Sequence, residues 1–360
     1  MTSNNLDTST KIRPGEELDI QALEAYLMNK IKGSHGPLVV EQFPGGASNL
    51  TYMIKLGERQ MVLRRPPFGA NIKGGHDMGR EFKVLSSLSQ HYSKVPAPVL
   101  FETDEDIIGA EFYIMDRIQG IIFRTKNGPA KNLDKQQIWK IADALIDTMV
   151  ELHQLDYEAI GLGDLGRPSG FTARQVEGWT RRYQKAKTDE FPQIDEVAQW
   201  LASNVPEQCN ASLIHNDFKH DNVIMDPEDP TKVLAVLDWE MCTLGDPLTD
   251  LGTTLSYWPN PEDPALMQMV AQNPAALPGN PRRQEVVEMY AMKSGNEVDN
   301  AVFYFAYGLF KLAGVVQQIY YRYHKGFTKD KRFANMNHFG AALGSMAALA
   351  IEKDKIYDLG

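Results

Sequence analysis

Residues 213–251 read LIHNDFKHDNVIMDPEDPTKVLAVLDWEMCTLGDPLTDL, and the chain is organised around them. Three polar residues stand out: Asp217, Asn222 and Asp238. A short apolar run, Val223–Met225, follows Asn222 and reads as a strand. A turn rich in Pro and Asp comes next, and a second apolar run over 233–237 leads directly into Asp238. Two strands joined by such a turn would return Asp238 beside Asn222. Mg²⁺ is a hard cation, usually held by one or two protein oxygens together with phosphate oxygens. Asn222 offers a neutral oxygen and Asp238 a charged one. Asp217 is left to accept the proton of an attacking hydroxyl. The three together predict a phosphoryl-transfer centre.

The spacing of His215, Asp217 and Asn222, H-x-D-x-x-x-x-N, followed by LDWE at 237–240, resembles the Brenner-type loop and metal aspartate of the aminoglycoside phosphotransferase and choline kinase group. The continuation VLDWEMCTLGDPLTDL is similar to phosphotransferase-like proteins related to the kinase half of acyl-CoA dehydrogenase fusions. A lone H-x-D says little; the ordered pair of motifs with the GDPLTDL tail is specific. The resemblance runs from about Phe43 to Tyr323. It implies an α+β, protein-kinase-like two-lobed fold: a small N-terminal antiparallel sheet with a helix, then a larger, mostly helical C-terminal lobe. The expected organisation is a disordered tail over 1–16, a nucleotide-binding lobe over 17–116, a hinge over 117–120, and a helical lobe carrying the catalytic loop over 121–360. ATP as donor, Mg²⁺ and a small-molecule hydroxyl acceptor come with it.

Composition, 43% hydrophobic and 23% charged, is ordinary for a soluble globular protein. The 360 residues suffice for two lobes with substantial cores. A net charge of −10 argues against a nucleic-acid binder, which shows a basic footprint. Cys209 and Cys242, the two cysteines, make neither a disulfide framework nor a metal-ligand pattern, which favours a reduced, cytoplasmic setting. No apolar run reaches the ~18 residues of a membrane span, and the N-terminus lacks the apolar core of a signal peptide.

Around the central stretch, the order of elements fits the same fold. Helical spacing over 20–31 is followed by strands over 38–43 and 51–56. Between these two strands lies PGGASNL, residues 44–50. A Gly-Gly turn can bring backbone N–H groups close to phosphates, so Gly45, Gly46, Ser48 and Asn49 are candidate nucleotide contacts; the plain alternative is a hairpin turn. The strand QMVLRR, 60–65, ends in two arginines. The kinase resemblance puts a lysine there, paired with a helix glutamate. Here the positions are occupied by Arg64 and by Glu81 of the helix over 78–88. Arginine clamps phosphates through its planar fork and is no direct replacement for lysine. Strands over 99–102 and 111–115 lead into DRIQG, 116–120, the hinge whose backbone would hold the adenine edge at Arg117 and Ile118.

From Leu133 the pattern turns helical, with Ile138, Ile141, Ala142, Leu145, Met149 and Leu152 on one face. His153 reads as a satisfied buried histidine. Arg181, Arg182, Lys185 and Lys187 read as a solvated helix face, or as a site for an anionic substrate tail. His215 reads as a scaffold residue, and by resemblance Asp250 bonds the catalytic-loop backbone. Lys219 matches a lysine that some kinases use near the transferred phosphate. Three helices close the chain, the middle one over 298–323 aromatic on several sides.

The reading is therefore an ATP-dependent small-molecule kinase. Asp217 is the base, Lys219 a second catalytic residue, and Asn222 and Asp238 the metal ligands. A hydroxyacyl-CoA or related hydroxy acid is the expected acceptor. An aminoglycoside acceptor, or a non-catalytic nucleotide-binding module, is the alternative. A protein kinase is disfavoured, because LDWE runs quickly into GDPLTDL without an APE-like segment.

Overall fold

The computed structural model describes residues 6–33, 35–44, 49–68, 77–207, 210–270 and 273–360. In chain order the elements are α1 (Ile20–Lys30), β1 (Leu38–Gln42), β2 (Leu50–Leu56), β3 (Arg59–Arg65), α2 (Met78–Leu88), β4 (Pro98–Glu102), β5 (Phe112–Asp116), α3 (Lys135–His153), α4 (Phe171–Ala186) and α5 (Pro192–Ser203). Then come β6 (Ser212–Ile214), β7 (Val223–Met225), β8 (Val233–Val236), β9 (Thr243–Gly245), α6 (Pro247–Ser256), α7 (Ala265–Val270), α8 (Arg283–Ser294), α9 (Ala301–His324) and α10 (Met336–Lys353). The chain divides into two compact units, one of residues 1–122 with 223–242, the other of 123–222 with 243–360.

The first unit is built on an antiparallel sheet of order β1-β2-β3-β5-β4. Alternating side chains from β2, β3 and β5 (Tyr52, Ile54, Leu56, Met61, Leu63, Phe112, Ile114) form its core with Leu23 and Leu27 of α1. Period-2 alternation puts one residue set on one face, and here that face is apolar. Helix α2 starts at Asp77, whose side chain accepts from the Arg80 N–H. Its buried face carries Met78, Glu81, Val84, Leu85 and Leu88. A glutamate on that face needs a partner.

Residues 6–16, expected as a disordered tail, are instead bound to the sheet. Thr10 and Gln42 exchange backbone hydrogen bonds of 2.8 and 2.9 Å, and the Tyr52 hydroxyl donates to the Glu16 carbonyl. Polarity misled here: edge strand β1 still had open backbone groups to pair.

The hairpin of β7 and β8 pairs Val223 with Val236 and Ile224 with Ala235. By its contacts it belongs to the first unit, although the sequence reading placed it within one lobe over 121–360. Ile121 and Met225 exchange backbone bonds, and the Val236 N–H donates to the Lys94 carbonyl. Gly120 permits this approach, because a Cβ there would lie 2.3 Å from Ile224 Cγ2 and 2.6 Å from the Met225 carbonyl oxygen.

The second unit is helical, with β6 and β9 pairing in antiparallel fashion beside the catalytic loop. Its centre is α9, where Phe303 through Lys311 are all buried. This helix is long and apolar enough to cross a membrane by length and composition, but 72% of the window is buried in the protein, as for a core helix. Helices α6 and α9 cross at Gly252 and Gly308: a Cβ on Gly252 would lie 2.1 Å from the Tyr304 carbonyl oxygen, and one on Gly308 2.1 Å from that of Gly252. The reading assigned no element to α5, although Ile194, Val197, Ala198 and Leu201 recur at helical spacing behind Pro192 and are buried.

Candidate active site

In the first unit, β3 delivers Arg64 to a buried charge cluster. Its register opposite Thr51 of β2 and Tyr113 of β5 places the side chain toward α2. Nη1 lies 3.1 Å from Glu81 Oε1, and Nη2 lies 2.7 Å from Asp238 Oδ1 and 3.7 Å from Glu240 Oε2. The Arg64 and Glu81 side chains are 9% and 1% exposed, so these are not the surface charges that composition alone would suggest. Asp238 sits in the left-handed region at φ 68°, immediately after β8. That turn reverses the chain and leaves its carboxylate about a third exposed. Glu240, two residues on, accepts from Asn49 Nδ2 at 2.8 Å.

Three carboxylates thus share one guanidinium. Burial pushes the Glu81 carboxyl above its ordinary range, with Arg64 pulling the other way. Burial works against the charge on Arg64, but Glu81, Tyr113, Asp238 and Glu240 outweigh it and keep it a cation. Asp238 and Glu240 are oxygen donors of the kind that hard divalent cations take. Among the described residues no group of three or more His, Cys, Asp or Glu has the geometry of a metal cage.

Gly45, Gly46 and Ser48 lie outside the described residues, as does Cys209. Of the expected hinge contacts, Arg117 turns its side chain to Gln60 Oε1 and the Asp7 carbonyl, and its backbone N–H donates to Gln60 at 3.4 Å. Ile118 packs with Leu234 and Leu237 against Ile122, Ile224 and Ala235.

In the second unit, the loop after β6 is held from below. Asp250 of α6 is fully buried; its Oδ2 accepts from the His215 N–H at 2.7 Å and Oδ1 from the Asn216 N–H at 2.8 Å. His153 bonds Asp250 through Nε2 and the Tyr290 hydroxyl through Nδ1, and so is a satisfied core histidine. Burial opposes the Asp250 charge, yet the His153 hydrogen bond and the nearby His215 and Lys311 bring its carboxyl below the ordinary range. Asn216 takes a left-handed φ of 69°, which sharply redirects the chain and presents Asp217.

Asp217 is ringed by donors. Its Oδ2 receives Lys219 Nζ at 2.8 Å and Asn222 Nδ2 at 3.0 Å, and its Oδ1 receives the Tyr257 hydroxyl at 3.2 Å. Asn222 Nδ2 also donates to the Asp217 carbonyl. With its amide nitrogen so committed, Oδ1 is the atom that Asn222 could offer a cation. Burial opposes the charge on Lys219, but Tyr257, Asp217 and Asp221 outweigh it and hold the ammonium above its ordinary range. Burial, then Asp217, raises the Tyr257 phenol, which stays a neutral donor at working pH. Lys219, His220, Asp221, Tyr257 and Asn273 line a small hollow of about 280 Å³, solvent-facing space included.

Sequence reasoning gathered Asp217, Lys219 and Asn222, and Arg64 with Glu81. It missed Tyr257, forty positions from the loop with no local pattern to betray it, and left Glu240 unassigned although it stands in the quoted LDWE. The basic residues at 181–187 are spoken for in part: Arg181 pairs with Glu177, Arg182 stacks over Trp179, and Lys187 pairs with Glu190 and Asp195.

The model of the phosphotransferase enzyme family (APH) matches residues 39–286, which contain both clusters. The chain belongs to the phosphotransferase enzyme family. Within this family, a crystal structure from Ralstonia eutropha JMP134, provisionally named an aminoglycoside phosphotransferase, is 30% identical. It superposes with a TM-score of 0.79 over 94% of this chain and 99% of that one. A thermostable mutant of an aminoglycoside phosphotransferase, in ternary complex with AMP-PNP and hygromycin B, shares the fold at 14% identity. Its TM-score is 0.58, covering 91% of this chain and 98% of that one. Among curated proteins, acyl-CoA dehydrogenase family member 10 of Mus musculus is 36% identical over 335 residues. That match takes in 91% of this phosphotransferase but only 30% of the relative, so the chain spans about a third of that relative's length. The chain has the kinase-like α+β fold of that family.

Proposed function

We propose that this phosphotransferase moves the γ-phosphoryl group of ATP to the hydroxyl of a hydroxyacyl-CoA or related hydroxy acid, with Asp217 as the base. One observation carries the assignment of the base. Asp217 has Oδ2 saturated by two donors and Oδ1 held by a single, longer bond from a neutral phenol. Oδ1 is therefore the oxygen to which an acceptor hydroxyl could turn its proton. As the acceptor oxygen bonds to the γ-phosphorus, the bond to the ADP oxygen breaks and the acceptor proton passes to Asp217. Lys219 neutralises the carboxylate until then and would follow charge toward the phosphoryl oxygens. Arg64, steadied by Glu81, would hold donor phosphates. Asp238 and the Oδ1 of Asn222 are the groups that would hold Mg²⁺, which when bound neutralises the phosphate charge and orients the donor. The phosphoryl transition state is loose, so positioning and charge neutralisation are the main contributions the protein can make.

The acceptor class is supported by the names of the curated relatives, which are acyl-CoA dehydrogenase family members. The AMP-PNP complex in the same fold supports an adenine nucleotide as donor. ADP release from MgATP, measured with a panel of hydroxyacyl-CoAs and of aminoglycosides, tests the acceptor. Release above background with hydroxyacyl-CoAs alone is expected, and release with aminoglycosides alone would overturn it. Asp217→Asn is expected to keep MgATP binding while losing most turnover, at least about a hundredfold. Wild-type turnover in this variant would remove the base assignment.

A further inference from the structure

The aromatic core helix α9 carries a lysine where an apolar residue would be the rule. Lys311 follows Leu309 and Phe310 and precedes Ala313, all buried, and is itself 4% exposed. Its Nζ donates to the Asn216 backbone carbonyl and to Asn216 Oδ1 at 3.0 Å, and reaches Thr253 Oγ1 of α6 at 3.4 Å. Asp250 takes the N–H of the same Asn216 from the opposite side. The residue just before Asp217, in its left-handed conformation, is thus gripped on its amide by a carboxylate of α6 and on its carbonyl and side chain by an ammonium of α9. Asp217 and Asp250 favour the charge on Lys311, while Lys219 of the loop and Arg182 of α4 oppose it. Burial dominates and lowers the Lys311 pKa to about 8. A buried amine costs more than the leucine or methionine that would fill the same space.

We propose that Lys311 is a positioning residue whose ammonium fixes Asn216 and thereby the orientation of the Asp217 carboxylate. The link to turnover rests on Asp217 being the base; the grip on the loop does not. A pKa near 8 makes the grip weaken with alkalinity, and one unit above it the charged fraction has fallen roughly tenfold.

The test compares wild type, Lys311→Met and Lys311→Arg by hydrogen exchange of the Asn216 and Asp217 amides, corrected for intrinsic rates, at about pH 7 and pH 9. In wild type, protection is expected to fall several-fold between the two. Lys311→Arg, which keeps its charge, should stay protected at both, and Lys311→Met should be unprotected at both. Wild-type protection in Lys311→Met would overturn the proposal. So would protection lost throughout α6 and α9, the mark of a merely structural lysine. ATP turnover with a hydroxyacyl-CoA is the second readout: Lys311→Arg should keep at pH 9 what wild type loses. Asp217→Asn separates the two readings. If that variant turned over normally, the base assignment would fall while the exchange result stood.

Discussion

Gly308→Ala is the sharpest structural prediction. The added methyl would sit 2.1 Å from the Gly252 carbonyl oxygen and 2.6 Å from its carbonyl carbon. Both are backbone atoms, so no side chain can swing away. Relieving the contact requires α6 and α9 to part by roughly 1 Å. Over-packing costs about 1–3 kcal/mol, and an unyielding backbone contact belongs at the top of that range. Alanine recovers roughly 1 kcal/mol through its better helix propensity. The net expectation is about 2 kcal/mol of destabilisation, read by urea unfolding at unchanged m. Because α6 carries Asp250 and α9 carries Lys311, kcat should fall while MgATP affinity holds. Gly163→Ala is the control: its methyl would meet only the flexible Glu158 side chain at 3.6 Å. A Gly308→Ala protein within ~0.5 kcal/mol of wild type, like that control, would refute the close-crossing argument.

Three further outcomes follow from named contacts. Arg64→Lys cannot span Glu81 and Asp238 with one planar fork, so MgATP affinity should drop about tenfold in a titration calorimeter. His220 is buried against Trp258 with its pKa lowered from 6.5 to about 4. The unfolded chain therefore binds the extra proton first, and stability is lost as pH falls from about 6.5 toward 4, by up to about 3 kcal/mol; His220→Leu should flatten that part of the stability profile. Arg283→Met strips the partner from buried Asp263 and the donors from the Ile356 and Trp258 carbonyls, and should cost about 3–5 kcal/mol in thermal unfolding.

How far the chain could be read depended on the range of each interaction. Periodicity located the sheet strands and most helices because a buried face leaves a local imprint at period 2 or 3.6. The pairing of Asp217 with Asn222 was legible because both lie on one loop. Glu81 was legible only by resemblance, though it also breaks an apolar helical face, a signal visible without any comparison. Tyr257 and Lys311 were not legible. Each reaches the catalytic loop from a distant element, so no spacing rule covers it; Lys311 was concealed among aromatic residues that rightly marked a core helix. The N-terminal segment was misjudged because polarity reports side chains, whereas its attachment at Thr10 is made by backbone groups.

The β7–β8 hairpin has a bearing on how the molecule is made. The chain finishes residues 1–122, leaves for 123–222, and only then supplies 223–242, which complete the first unit. On a ribosome adding ~5–20 residues per second, the first sheet waits on the order of ten seconds for its missing hairpin. During that wait the strip of Ile122 that Ile224 and Ala235 will cover is open to water and to other chains. The nascent protein should therefore be a chaperone client over that interval. Splitting the gene between residues 222 and 223, the crossing that divides both units, should yield fragments that fold only when expressed together.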